Sequence, residues 1–151
     1  MVASGAIETR DMSSPPTCIA QYPTPEQIQT LLAHPDQGPV VMLNLLRFKP
    51  TADAPDEGLS GEAAYRLYMT EMVPFVLSHG GRVIWSGRVD GQVIGTNADF
   101  HVAALMEYPS RATFVRIATD PFVRELGVHR AAGLEGQWLL ATTTELALPK
   151  R

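Results

Sequence analysis

Val40-Val41-Met42-Leu43-Asn44-Leu45-Leu46-Arg47-Phe48 decides the fold: it is a nearly continuous apolar run, led in by Pro39 and too short for an independent helix. Such a run is typical of a strand covered on both faces, so it is expected to be the central strand of its sheet. Upstream, Thr24-Pro25-Glu26-Gln27 offers a threonine N-cap, a proline at the first helical position and a glutamine three residues after the cap. With Ile28, Leu31 and Leu32 following, a short amphipathic helix is predicted to about Ala33, where Pro35 opposes continuation. Residues 1–21 mix Ser, Gly, Pro and scattered charge without a period and read as a loose arm.

Downstream, residues 50–60 have the composition of a surface loop, and Ser60 can cap a helix. Tyr65, Tyr68, Met69, Met72 and Val76 recur at three- and four-residue steps, with Arg66, Thr70 and Glu71 on other faces. That stripe is expected to pack on the sheet, with a kink at Pro74 before Gly80-Gly81 ends the helix. Residues 82–89 predict a strand with Val83, Trp85, Gly87 and Val89 on one face, and Asp90-Gly91 signals a two-residue hairpin. After a polar turn at Thr96-Asn97, the next strand sets Phe100, Val102, Ala104 and Met106 opposite His101, Ala103 and Leu105. Pro109-Ser110 opens a helix carrying Phe114, Val115 and Ile117, and Asp120-Pro121 breaks it and recaps a second piece through Leu126. Gln137 to Thr144 supplies the last strand.

Strand, helix, two strands, helix, strand is the order of a ferredoxin-like α+β unit, here with an extra N-terminal helix. Helices cover one face of such a sheet, so the other face needs a second cover, and a two-fold homodimer is the expected one. The expected organisation is an arm over 1–21, one domain over 22–145 and a tail over 146–151. With 151 residues, 45% of them hydrophobic, the chain can build one core and not two full-sized domains. Lys and Arg total 12 against 16 Asp and Glu, a net charge of -4 that leaves no basic stripe for nucleic acid. Cys18 is the only cysteine, so neither an internal disulfide nor a thiolate metal cluster can form, and a reducing, cytoplasmic setting is expected. Glu8, Arg10 and Asp11 interrupt the apolar run a secretory signal needs, and no segment has membrane-spanning length, so no membrane partner is expected.

Five blocks, MLNLLRFK (42–49), AYRLYMTEMVPF (64–75), GGRVIWSGRVDGQVIG (80–95), EYPSRATFVRIATDPF (107–122) and HRAAGLEGQWLLATT (129–143), carry a resemblance in order and spacing from about Val40 to Thr144. The chain resembles the family called domain of unknown function thirteen-thirty, of the dimeric α/β-barrel superfamily. The resemblance implies a ferredoxin-like protomer whose sheet packs on a partner's sheet to close a barrel, with a cavity between sheet and helices. Relatives in that superfamily include cofactor-free monooxygenases, lactone isomerases, cyclases and haem enzymes, and the family itself has no settled activity. The stretch before Val40 extends a domain that is shorter in many relatives, and Asp99-Phe100 stands where an aspartate followed by tryptophan is expected.

Several side chains are candidates for chemistry. Asn44 puts an amide in an apolar strand, where leaving it unsatisfied costs roughly 1 to 3 kcal/mol. It either fixes a neighbouring strand end or orients a ligand. Tyr65 and Tyr68 are either core residues tethered to backbone or donors and weak acids at a pocket. Arg130 could clamp a carboxylate or pair with Glu107, Glu125 or Asp99, and His129 could move a proton or stand in solvent. His101 reads first as a core or interface histidine; Trp85 and Trp138 read as core or interface aromatics, Trp85 being the better pocket wall. Tyr65, Tyr68 and His129 form the expected catalytic set, and Asn44, Arg47, Trp85 and Arg130 the expected substrate-binding set. His34, His79, His101 and His129 lack zinc spacing, and no HExxH, GxSxG or P-loop pattern occurs, so neither metal nor cofactor is expected. Cys18, in the arm, is not expected to be a catalytic thiol.

These features point to a cofactor-independent enzyme on a small organic molecule, of oxygenase, isomerase, cyclase or lyase type. The alternative is a dimer that binds or senses a small molecule without chemistry. A purely structural partner would require a large apolar patch left over after dimerisation.

Overall fold

The computed structural model describes residues 17–146; residues 1–16 and 147–151, and with them most of the expected arm and tail, lie outside the described residues. Helix α1 spans Pro25–Ala33, strand β1 Val40–Phe48, α2 Gly61–Ser78, β2 Arg82–Arg88 and β3 Val102–Tyr108, followed by α3 at Arg111–Ala118, α4 at Pro121–Gly133 and β4 at Leu134–Thr142. The four strands form one antiparallel sheet in the order β2-β3-β1-β4, so β1 is central as its apolar run predicts. Each helix starts on a side chain that takes an otherwise unpaired N–H: Thr24 from Gln27, Ser60 from Ala63, Ser110 from Thr113 and Asp120 from Phe122. Gln27 returns the favour to the Thr24 N–H, completing a capping box. No helix among the described residues is long and apolar enough to cross a membrane.

Alternation along β1 sends Met42, Asn44, Leu46 and Phe48 to the helix side, where Tyr65, Tyr68, Met72, Ile117 and Val123 complete the core. Leu43, Leu45 and Arg47 point to the other side, beside Ala103 and Leu105 of β3 and Trp138 and Leu140 of β4. No described helix covers that second face, and Trp85, Trp138 and Leu140 remain 53%, 38% and 47% exposed on it. The covering of β1 on both faces is therefore not met among the described residues of the chain.

Four expectations need correction. The register between β2 and β3 slips between Val83 and Trp85, so Val83 stands opposite Met106 and Trp85 opposite Leu105, on different faces. Asp90-Gly91 does not close a tight hairpin; after Val89 donates to the His101 carbonyl, the chain makes an excursion through 90–100, turning with positive φ at Gly95, Asn97 and Asp99. That excursion carries Phe100 away from Val102 to pack on Trp138 on the opposite face, ring centroids 5.0 Å apart. Finally α4 continues past Leu126 to Gly133.

Helices α2 and α4 meet at two glycines. A Cβ on Gly61 would strike the Lys49 carbonyl, and one on Gly133 would strike the Gly61 carbonyl. The Gly133→Ala variant is expected to lose about 2 to 4 kcal/mol of stability, because backbone must separate to admit the methyl. Urea unfolding of that variant beside Gly127→Ala, whose added Cβ meets nothing within 4 Å, checks this; equal stabilities would contradict the close-approach account.

Candidate functional site

On the helix side, an open cleft of about 400 Å³ separates α2 from β2 and β3. Leu46, Phe48, Val102 and Ala104 make its apolar floor, Tyr65 and Met69 of α2 its wall, and Glu62, Arg66, Ser86 and Arg88 its polar parts. The Tyr65 ring packs 5.3 Å from Phe48 and 5.5 Å from Tyr68, centroid to centroid. The helical step that puts Tyr65 and Tyr68 on one stripe buries both, each 8% exposed. Neither hydroxyl makes a hydrogen bond to another described residue.

Burial pushes the Tyr65 hydroxyl well above its ordinary pKa, the nearby Tyr68 and Tyr108 add to the shift, and the Arg130 charge opposes it. Tyr68 is pushed up by burial against the same opposing charge, and Tyr108 by burial with Tyr68 adding. At neutral pH these are protonated donors, not bases. Arg130, in the last turn of α4, donates to the Gln21 carbonyl and, at 3.0 Å, to Gln137 Oε1 of β4, and its guanidinium lies 5.3 Å from the Tyr22 ring centre. None of the anticipated partners Glu107, Glu125 and Asp99 pairs with it, and no carboxylate among the described residues lies within ion-pair distance. Arg130 is thus half-buried on Gln21, Gln137 and Tyr22, outside the cleft lining, and its charge opposes the rise at both tyrosines.

The structure does not bring the remaining expected residues into this group. Asn44 lies on the helix side between Ala104 and Leu139, and its amide donates to the Met42 carbonyl at 3.3 Å, which gives it a local tether. Arg47 points to the other side, donating to the carbonyls of Asp99 at 2.9 Å and Ala98 at 3.2 Å, with Glu135 at 3.6 Å; it anchors the 90–100 excursion. Trp85 lies on that outer face over Gly87, not in the cleft. His101 accepts the Phe48 N–H at 3.0 Å and stacks on the Phe48 ring. His129, expected either to move a proton in the catalytic set or to stand in solvent, instead pairs through Nδ1 with the buried Asp56 at 2.7 Å, fastening the loop before α2 to α4 away from the cleft. Cys18 is exposed, its carbonyl accepting the Trp138 indole N–H, and Ala20 bridges to Gln137, so the end of the stretch read as an arm runs along β4.

Sequence reasoning did not select Glu62, Arg88, Tyr108 or Gln137. Glu62 precedes Arg66 by four residues, a helical pairing legible in the sequence, but its second partner Arg88 comes from β2 and requires the topology.

Topology and cleft define a ferredoxin-like α+β protein with a small-molecule-sized opening between sheet and helices. No protein-family model and no curated protein matches the chain. Among solved structures, the RPA0582 protein of unknown function from Rhodopseudomonas palustris is 34% identical, with TM-score 0.78, over 86% of this chain and 100% of its own. Its methylated form matches equally, over 89% and 100%. The chain belongs to the family of that protein. At TM-score 0.50 come a Bacteroides thetaiotaomicron protein assigned by name to the antibiotic biosynthesis monooxygenases, 14% identical over 76% and 96% of the two chains, and SnoaB, a cofactor-independent oxygenase from Streptomyces nogalater, 12% identical over 75% and 99%. At those identities the likeness shows the shared fold alone.

Raised tyrosine pKa values set an alkaline limit. Below the unfolded tyrosine value of about 10 the folded and unfolded chains bind these protons equally; above it the unfolded chain releases them first, so stability falls as pH rises. Urea unfolding between about pH 9 and about pH 11 is expected to show a steep loss that is shallower in Tyr65→Phe. Identical slopes in the two proteins would contradict the burial of that hydroxyl.

Proposed function

We propose that the chain is a homodimer with one small-molecule site on the helix side of each sheet, and that it acts without a cofactor on a small organic molecule, as an oxygenase, isomerase, cyclase or lyase. The observation that carries the reading is Arg130: a half-buried guanidinium, without a described carboxylate to neutralise it, whose charge is felt by Tyr65 and Tyr68. Protonated hydroxyls in apolar surroundings, with a cation whose field reaches them, favour negative charge developing on a substrate oxygen, such as an enolate or phenolate. Tyr65 reaches the cleft wall and would meet the substrate; Tyr68 packs on its ring, and neither Tyr68 nor Arg130 lines the cleft, so the cation would act through its field. The fold shared with SnoaB supports an architecture able to host such chemistry. The five sequence blocks support placing the chain with domain of unknown function thirteen-thirty, as one domain over 22–145.

The uncovered sheet face supports the dimer. Leu43, Leu45, Leu105, Trp138 and Leu140 form an apolar surface that a second sheet, brought by a two-fold axis, would bury. One observation favours the second reading, a dimer that binds or senses without reaction. Both histidines flanking the sheet are engaged at Nδ1, His101 by the Phe48 N–H and His129 by Asp56, and neither lines the cleft to take a proton.

Native mass spectrometry of the full chain tests both levels. A dimer is expected, and Leu140→Glu should raise its dissociation constant at least about a hundredfold by placing a carboxylate in the interface; a monomeric parent protein would sink the dimer. A co-purifying compound should bind or turn over about tenfold less well in Arg130→Gln. Its recovery unchanged after long incubation, with Arg130→Gln weakening binding alone, would favour sensing over catalysis.

A further inference from the structure

Two guanidiniums and one carboxylate stand at the edge of the cleft. Arg88 Nη2 donates to Glu62 Oε2 at 2.7 Å, and Arg66 Nη2 donates to the same oxygen at 3.0 Å. Burial alone would push the Glu62 carboxyl up, but hydrogen bonds and charge from Arg88 and Arg66 outweigh it and hold the pKa below the ordinary carboxylate value. The group therefore carries two positive charges against one negative at neutral pH. A guanidinium has five N–H donors, and each of these two gives one nitrogen to Glu62, leaving further donors accessible on side chains that are 72% exposed for Arg66 and 55% for Arg88. Next to this charge the cleft is apolar, with Leu46, Phe48, Met69, Val102 and Ala104 beneath it.

We propose that the cleft takes a small amphipathic carboxylate, its anionic head against Arg88 and Arg66 and its hydrocarbon body on the floor toward Tyr65. This rests on the cleft being the chain's small-molecule site and adds the class of compound it takes. A carboxylate head would add charge-assisted hydrogen bonds to these partly exposed guanidiniums that an uncharged ligand lacks, and a small polar anion would leave the floor wet. The volume of about 400 Å³ sits near the lower end for small-molecule sites and suits a short chain or a single ring with its head group. Glu62 aims both guanidiniums while reducing their net charge to one unit, which makes its removal informative.

Isotope-labelled full-length protein titrated with hexanoate and, separately, with hexanol tests the proposal by NMR. Hexanoate is expected to shift the amides of Met69, Arg88 and Val102 and to bind roughly five- to tenfold more tightly than hexanol, the margin of a charge-assisted bond partly screened by water. Arg88→Gln should abolish most of that preference. Arg82→Gln should keep it, since Arg82 pairs with Glu107 elsewhere on the sheet. Glu62→Gln should strengthen hexanoate binding, because the net charge beside the cleft rises by one. Equal binding of the two compounds with the same amides shifted would overturn the carboxylate class while leaving the cleft as a small-molecule site. Silence of those amides with both compounds would overturn the cleft reading as well, and weaker hexanoate binding in Glu62→Gln would overturn the electrostatic account.

Discussion

The backbones of Gly61 and Gly133 pass so close that neither position can hold a side chain, and the rest of the site depends on that approach. Three backbone hydrogen bonds close the junction: Lys49 N–H to the Gly133 carbonyl at 2.8 Å, Gly61 N–H to the Lys49 carbonyl at 3.1 Å and Asp53 N–H to the Ala132 carbonyl at 2.9 Å. Ala52, Ala64 and Ala132 fill the space around it with the smallest side chains available. The end of β1, the start of α2 and the end of α4 thereby become one rigid corner. Tyr65 sits about one turn into α2 from this corner, and Arg130 about one turn back along α4. Their separation is set by main-chain packing, the kind of support that holds functional groups to within a fraction of an ångström.

Local chemistry made much of this legible in advance. Four capping side chains and the apolar run of β1 each need only neighbours in sequence, and each falls where the sequence puts it. The bulge in β2 left no such trace, because Val83, Ile84 and Trp85 all favour strand and nothing local says which is the extra residue. Asp90-Gly91 has hairpin chemistry, but the pairing of Arg88 with Val102 is decided by the sheet, and the intervening chain must go elsewhere. Gly127 invited an early end to α4; a glycine inside a helix costs about 1 kcal/mol, which the packing of Val123, Ala132 and Gly133 offsets. For the site, the tyrosine stripe follows from helical period, whereas Arg130 without a carboxylate and Glu62 between two arginines are facts of tertiary placement.

The tyrosines and Arg130 act on one another in opposite directions. Burial makes a phenolate costly at Tyr65 and Tyr68, and the nearby cation makes it less so, but burial wins for both. Among the described residues no carboxylate pairs with Arg130, whose donors go to the Gln21 carbonyl and Gln137 Oε1 and so tie the segment before α1 and strand β4 to α4.

Alternation along β1 assigns its two polar side chains to different tasks. Asn44 faces the helices and is tethered to the strand's own Met42 carbonyl, while Arg47, three residues on, faces away and holds the excursion that carries Phe100 onto Trp138. A one-residue slip would exchange these faces, placing the guanidinium in the core and the leucines Leu43 and Leu45 against the helices. The register with β3 and β4 on both sides forbids that slip. The same constraint that keeps Met42, Leu46 and Phe48 in the core therefore presents Leu43 and Leu45 outward, so the cleft and the uncovered apolar face arise from a single strand's periodicity and cannot be altered independently.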